Sequence, residues 1–225
     1  MSTKKNKTDL KGHVAVITGA SSGIGEQYAR QLAARGVDLV IAARRLDRLE
    51  KLAKELSSAH DVNVQAIEAD LAKTGIAQSL FKAATQSSRQ VTILVNNAGI
   101  GPFGRFVKGP LERHLETLTL NMHALTELSH RFCGHMLEHG KKSFITNIGS
   151  IASYQGASNF AVYAATKSYV RIFSEILGRE LRETGISVTC VCPGGTYTEF
   201  MEANGQVLSD SSHSMMMTAC TRTCL

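Results

Sequence analysis

The chain of 225 residues contains no tryptophan, only three prolines and no long uninterrupted apolar run. A bilayer-spanning helix needs about 20 consecutive apolar residues, so no membrane span is expected. The first eleven residues hold no arginine and no apolar core, so neither a secretory signal nor an Arg-rich transit peptide is expected there. Residues 1–10 read instead as a flexible, solvated tail. The five cysteines lack paired Cys-x2-Cys spacing and have no histidines at finger distances, so no metal site is expected. Cys190 and Cys192 alternate along a strand-like run, which points both to one face and too close for an easy bridge. Reduced thiols in a cytoplasmic protein follow as the default. The net charge of +6 comes largely from Lys4, Lys5, Lys7 and Lys11, with Arg44 and Arg45. No basic patch interleaved with aromatics accompanies it, so no nucleic-acid partner is expected.

What is present is an alternation of short apolar runs with helix-period segments. Val14–Ile17, Leu39–Ala42, Val62–Ile67, Ile93–Val95, Phe144–Ile145 and Ile186–Val191 are predominantly apolar rather than strictly alternating. That pattern suits strands covered on both faces, as in a parallel sheet. Between them run apolar stripes: Leu46, Leu49, Leu52, Ala53 and Leu56; then Ile76, Leu80, Phe81 and Ala84. A longer stripe extends from Leu111 through Leu115, Leu118, Met122, Leu125 and Leu128 to Phe132. Val170, Phe173, Leu177 and Leu181 make the last, stopped by Gly185. Repeated βα units with right-handed crossovers define an α/β fold, a doubly wound parallel sheet of the Rossmann type in one domain.

Directly after the first strand stands Thr18-Gly19-Ala20-Ser21-Ser22-Gly23-Ile24-Gly25. Glycines allow the sharp turn and the close approach of backbone to a pyrophosphate, while the next helix directs N–H groups and its dipole at the anion. NAD-binding units carry an acid at the end of the second strand for the ribose hydroxyls. Here that place reads Ala43, followed by Arg44 and Arg45. A guanidinium fork matches a phosphate in shape and charge, so NADP(H) is expected over NAD(H). Ser150 follows the fifth strand, and Tyr163 and Lys167 stand one helical turn apart on one face. A free phenol, with a pKa of about 10, is a poor proton shuttle at neutrality. A neighbouring ammonium is expected to lower that value, and a serine hydroxyl is placed to donate to a substrate oxygen as charge develops.

The threonine-led Gly-x3-Gly-x-Gly loop, Asn96-Asn97-Ala98-Gly99 after the fourth strand, a strand-end Ser150 and Tyr163-x3-Lys167 occur in this order. Over roughly residues 11–200 the sequence thus resembles the short-chain dehydrogenase/reductase family. The resemblance implies an NADP(H)-dependent oxidoreductase exchanging hydride with a small-molecule carbonyl or alcohol. It implies cofactor contacts from Gly19, Ser21, Ser22, Gly23, Ile24 and Gly25, with Arg44 and Arg45. It adds Asp70 and Leu71 near the adenine, and Asn97, Ala98 and Gly99 beside the ribose. It further implies that Pro193, Gly194 and Thr196 contact the carboxamide, that Tyr163 and Lys167 touch the nicotinamide ribose, and that Asn121 completes the catalytic set by holding a relay water. Tyr154, Tyr169 and Ser153 lack the required spacing and read as lining or structural. Pro102–Phe106 and a loop over Glu199–Ser212 are expected to border the substrate, with small and aromatic residues suited to an apolar guest.

Family members continue into a further helix and strand, whereas Cys220–Leu225 shows neither period. Residues 201–225 are therefore expected to be a substrate loop with an atypical, truncated C-terminus lacking that last helix and strand. Such a change would weaken a homodimer or homotetramer. It also leaves an alternative in play, a catalytically weak NADP-binding sensor or docking module.

Overall fold

In the computed structural model, residues 10–194 are described. The expectations at Thr196, over Glu199–Ser212 and for the final helix and strand lie outside them. Six strands are present: β1 (Val14–Thr18), β2 (Asp38–Ala43), β3 (Val64–Glu68), β4 (Ile93–Asn96), β5 (Ser143–Ile148) and β6 (Ile186–Val191). They form one sheet in the order β3-β2-β1-β4-β5-β6, every pair parallel. Val16 lies opposite Val40 on one side and Leu94 on the other.

Alternate residues of β1 feed opposite faces, as strand geometry requires. Ile17 packs in a cluster with Leu32, Leu49 and Leu56, whereas Val16 joins Leu80, Leu128 and Phe132. The first face is covered by α1 (Gly23–Ala33) and α2 (Leu46–His60), the second by α3 (Ile76–Ala84) and α5 (Leu125–His139). In α2 the buried side chains are Leu49, Leu52 and Leu56, the spacing of a single helical face. Each fully buried leucine contributes roughly 1.5–3 kcal/mol. Gly140, at φ 64° after α5, takes the left-handed conformation that ends the helix. α6 (Ala161–Glu180) packs against β5 and β6.

The stripe expected from Leu111 to Phe132 is interrupted. α4 (Leu111–Leu118) leads into a π-helical turn over Thr119–Ala124 before α5 begins. The wider turn rotates the apolar face, so Leu111, Leu115 and Leu118 are exposed while Leu125, Leu128 and Phe132 are buried. The third strand also starts at Val64 rather than Val62. Among the described residues no helix is long and apolar enough to cross a membrane.

Candidate active site

The strand order reverses between β1 and β4, and an open parallel sheet splits at that point above its carboxyl ends. A cleft of about 560 Å³ lies there, running from the residues after β2 and β3 to those after β5 and β6. Thr18, buried just before Gly19, ties the segments behind it together. The buried Oγ1 accepts from the N–H groups of Asn97 and Ala98, both at 3.0 Å, and donates to Val95 O at 3.3 Å. The Asn97 side chain returns the tie, with Nδ2 donating to Thr18 O at 2.9 Å and Gly19 O at 3.1 Å. This predicted cofactor residue thus offers the cleft its backbone and spends its amide on the glycine loop.

The loop is close-packed at two glycines. Gly19 has φ 67°, and a Cβ on it would sit 2.9 Å from Ala98 Cα. A Cβ on Gly25 would sit 2.5 Å from Gly19 O, so the first turn of α1 approaches the loop only without one. Gly25 therefore shapes the cleft from behind, while Gly19, Ser21, Ser22, Gly23 and Ile24 line it. Ser22 precedes α1 without a side-chain cap, leaving that role to another acceptor.

Arg45 sits at the N-terminal boundary of α2, where the helix dipole disfavours a cation. The guanidinium reaches across to the glycine loop and donates to Ser21 Oγ (3.2 and 3.0 Å) and Ser22 Oγ (2.9 Å). Arg44 is 60% exposed in its side chain and lies 3.9 Å from Glu116. Asp70 accepts from the N–H of Ala72 and pairs with Lys73 at 3.6 Å, beside a buried Leu71. These residues, with Ala98 and Gly99, line the same cleft.

At the other end, Ser150 begins a short 3₁₀ turn and its Oγ accepts from Ala152 N at 3.1 Å. Its hydroxyl also bonds the Tyr163 phenol, which burial pushes above its ordinary pKa while that bond pulls the other way. Lys167, one turn along α6, is 5% exposed and donates from Nζ to Ile148 O at 2.7 Å. Burial pushes its pKa down to about 8. The expected depression of the phenol by Lys167 is therefore not what these side chains give by themselves. The ammonium is committed to a carbonyl and stands 5.9 Å from the ring centre, so desolvation prevails.

Asn121 does not line the cleft. It is 1% exposed in the π turn, its Oδ1 accepting from Ile100 N at 3.0 Å and its Nδ2 donating to Ile100 O at 2.8 Å and Thr166 Oγ1 at 3.0 Å. The amide thus ties the π turn to α6 and to the loop after β4, close to Lys167. A Cβ on Gly99 would lie 3.1 Å from Asn121 Oδ1 and 3.5 Å from Lys167 Nζ. Ser153 is buried and donates to Ser150 O; Tyr154 is 69% exposed; Tyr169 bonds Thr126 Oγ1 at 2.7 Å. Cys190 and Cys192 face one way with Sγ atoms 3.6 Å apart, unbridged, against the backbone of Gly149. Pro193 and Gly194 line the cleft, whereas no residue of Pro102–Phe106 does. Sequence reasoning passed over Phe160, which enters the cleft just before α6; only its place three residues ahead of Tyr163 hinted at it.

The short chain dehydrogenase model matches residues 13–208. Sulfoacetaldehyde reductase 2 of Chromohalobacter salexigens is 34% identical over 188 residues, 83% of this chain and 74% of that protein. A short-chain dehydrogenase from Sphingobium yanoikuyae in complex with NADPH has TM-score 0.82 and 36% identity over 87% of this chain and 75% of that one. A short-chain dehydrogenase/reductase from Burkholderia phymatum in complex with NAD has TM-score 0.82 at 27% identity, over 87% and 70% respectively. The chain belongs to the short-chain dehydrogenase family of oxidoreductases.

Proposed function

We propose that this chain is an NADP(H)-dependent oxidoreductase acting on a carbonyl or secondary alcohol through Ser150, Tyr163 and Lys167. The observation that carries the reading is the Ser150–Tyr163 hydrogen bond at one end of the cleft, with Lys167 one helical turn behind. The residues present fit a dinucleotide. The loop is too tight for a side chain at Gly19 and Gly25, the α1 terminus lacks its own cap, and Arg45 is braced over the loop serines. Arg44 and Arg45 would hold the ribose phosphate that separates NADPH from NADH, with Ala43 where an NAD-binding unit carries its acid. Asp70 and Leu71 would border the adenine; Ala98, Gly99, Tyr163 and Lys167 the nicotinamide ribose; Pro193 and Gly194 the carboxamide. When bound, the nicotinamide supplies or accepts the hydride.

The chain's own residues then handle one oxygen and one proton. Ser150 Oγ donates to the substrate oxygen as negative charge develops there. Tyr163 keeps its proton at neutrality because burial raises it, and so stands ready to protonate that oxygen during reduction. Oxidation needs the phenolate, so its rate should climb with pH. Lys167, at about 8, remains charged at neutrality and favours a phenolate whenever one forms. Exposed Leu111, Leu115, Ile172 and Ile176 on neighbouring α4 and α6 support self-association, which sedimentation would measure.

The test is NADPH consumption with a panel of small ketones in the parent and in Tyr163→Phe. Turnover that the variant abolishes supports the enzyme. Tight NADPH binding without turnover assigns the chain to a sensing or docking role instead, and tighter NADH than NADPH binding overturns the cofactor assignment.

A further inference from the structure

We infer that the substrate end of the cleft is an apolar slot for neutral ketones or aldehydes bearing an aryl or bulky alkyl group, with Phe160 as the residue that sets this specificity. The inference rests on the oxidoreductase reading above and deepens it. The reacting pair, Ser150 and Tyr163, is flanked by two apolar walls. On one side Ile151 and Ala152 line the cleft, and Ile151 is 54% exposed in a chain whose large aliphatics are mostly buried. On the other stands Phe160, its ring centre 5.7 Å from that of Tyr163. Phe103 backs it edge-to-face at 5.0 Å and is itself 46% exposed. The Phe103 loop is held in place where Gly104 N donates to Asn159 O at 3.0 Å, next to Phe160. An open aromatic pair beside a reactive phenol offers a ring-shaped guest an edge-to-face partner.

Among the described residues, charge is absent where an anionic substrate would need it. Among the described lining residues the ionisable side chains are Arg44, Arg45, Asp70, Tyr163 and Lys167. Arg44 and Arg45 follow β2 and Asp70 follows β3, three or more strand spacings of about 4.8 Å from the residues after β5. Lys167 is buried with Nζ bonded to Ile148 O. A carboxylate or sulfonate at the Phe160 wall would lose its water and meet no free cation among the described lining residues, only the neutral Gln155, Ser150 and Tyr163 side chains.

The experiment compares acetophenone, acetone and pyruvate as substrates of the NADPH-loaded protein, in the parent, Phe160→Ala and Phe160→Tyr. The parent should favour acetophenone over acetone by about tenfold or more in kcat/KM, with pyruvate lowest. Phe160→Ala should lose about tenfold on acetophenone, through KM, and stay within about threefold on acetone; Phe160→Tyr should restore most of the loss. Pyruvate matching acetophenone, or equal losses on acetone and acetophenone, overturns the slot. Acetophenone binding followed by ligand-observed NMR separates the two readings. No turnover with binding that Phe160→Ala weakens overturns the enzyme and supports the slot. Turnover of acetone with no acetophenone binding does the reverse.

Discussion

The two ends of the cleft carry charge in opposite ways. After β2 and β3 it stands in the open: the Arg44 side chain is 60% exposed and Asp70 keeps 32% of its own in water. After β5 the polar groups are shut in: the Lys167 ammonium is 5% exposed, the uncharged amides of Asn121 and Asn147 behind the cleft are 1% and 0%, and each is bonded to protein. An exposed ion keeps its hydration, so its removal should alter what binds and leave the fold alone. A buried polar group is held by a partner that suffers when it goes, so chemistry and stability are coupled there.

The largest effect should fall at the buried end. Tyr163→Phe removes the transferable proton and should lower kcat/KM for ketone reduction by about 10²–10⁴-fold. The NADPH dissociation constant, read by fluorescence titration, should move by less than about threefold; a large change in binding with modest loss of turnover would reverse the roles of the two ends.

Next comes Lys167. Folding brings its pKa from an ordinary 10.5 down to about 8. Below pH 8 both folded and unfolded chains carry the proton, and the folded one bears the full penalty of a buried charge. Between about 8 and 10.5 the unfolded chain binds more protons, so the parent gains stability as pH rises. Lys167→Met has no such proton. The stability difference between variant and parent in the cofactor-free state should move by about 2–3 kcal/mol in the parent's favour from pH 7 to pH 10, by urea unfolding at each pH. A pH-independent gap would mean that folding leaves the Lys167 pKa at its ordinary value, with the buried ammonium charged across the whole range.

The open end gives a smaller response of another kind. Arg45→Ala should weaken NADPH by about 10–100-fold, the worth of one charge-assisted contact, and leave NADH nearly unchanged. Equal losses on both cofactors would assign Arg45 to bracing Ser21 and Ser22 rather than to reading a phosphate.

The same division explains what the sequence disclosed. Continuous apolar runs announced the parallel strands because strands buried on both faces tolerate little else, and the glycine loop was visible because no other residue fits at Gly25. Tyr163 and Lys167 stood out because helical spacing sets them on one face and because the glycine loop, Asn96–Gly99 and a strand-end Ser150 precede them in order. What stayed hidden depends on contacts distant in sequence. The π turn follows from Asn121 bonding Ile100 and Thr166, 21 and 45 residues away. The rise in the Tyr163 pKa reflects burial by several elements, and no spacing reports it. Phe160 escaped because a lone aromatic before a helix is ordinary until its neighbours in the cleft are known.

The sharpest test of the contrast pairs one residue from each end without touching the reacting groups. Asn147 lies beside Asn96 in adjacent strands, accepts from its Nδ2 at 2.9 Å and donates to Ser174 Oγ at 2.9 Å, joining β4 and β5 to α6 beneath Ser150. Asn147→Ala leaves two buried groups each short of a bond and opens a small void. It should lower unfolding stability by about 1–3 kcal/mol. Arg44→Ala removes a mostly solvated ion whose nearest acid is 3.9 Å away, and should stay within about 0.5 kcal/mol. Urea unfolding of the two variants at one pH measures the difference directly. Should Arg44→Ala prove as damaging as Asn147→Ala, charge at the open end would be structural too, and the division of labour along the cleft would fail.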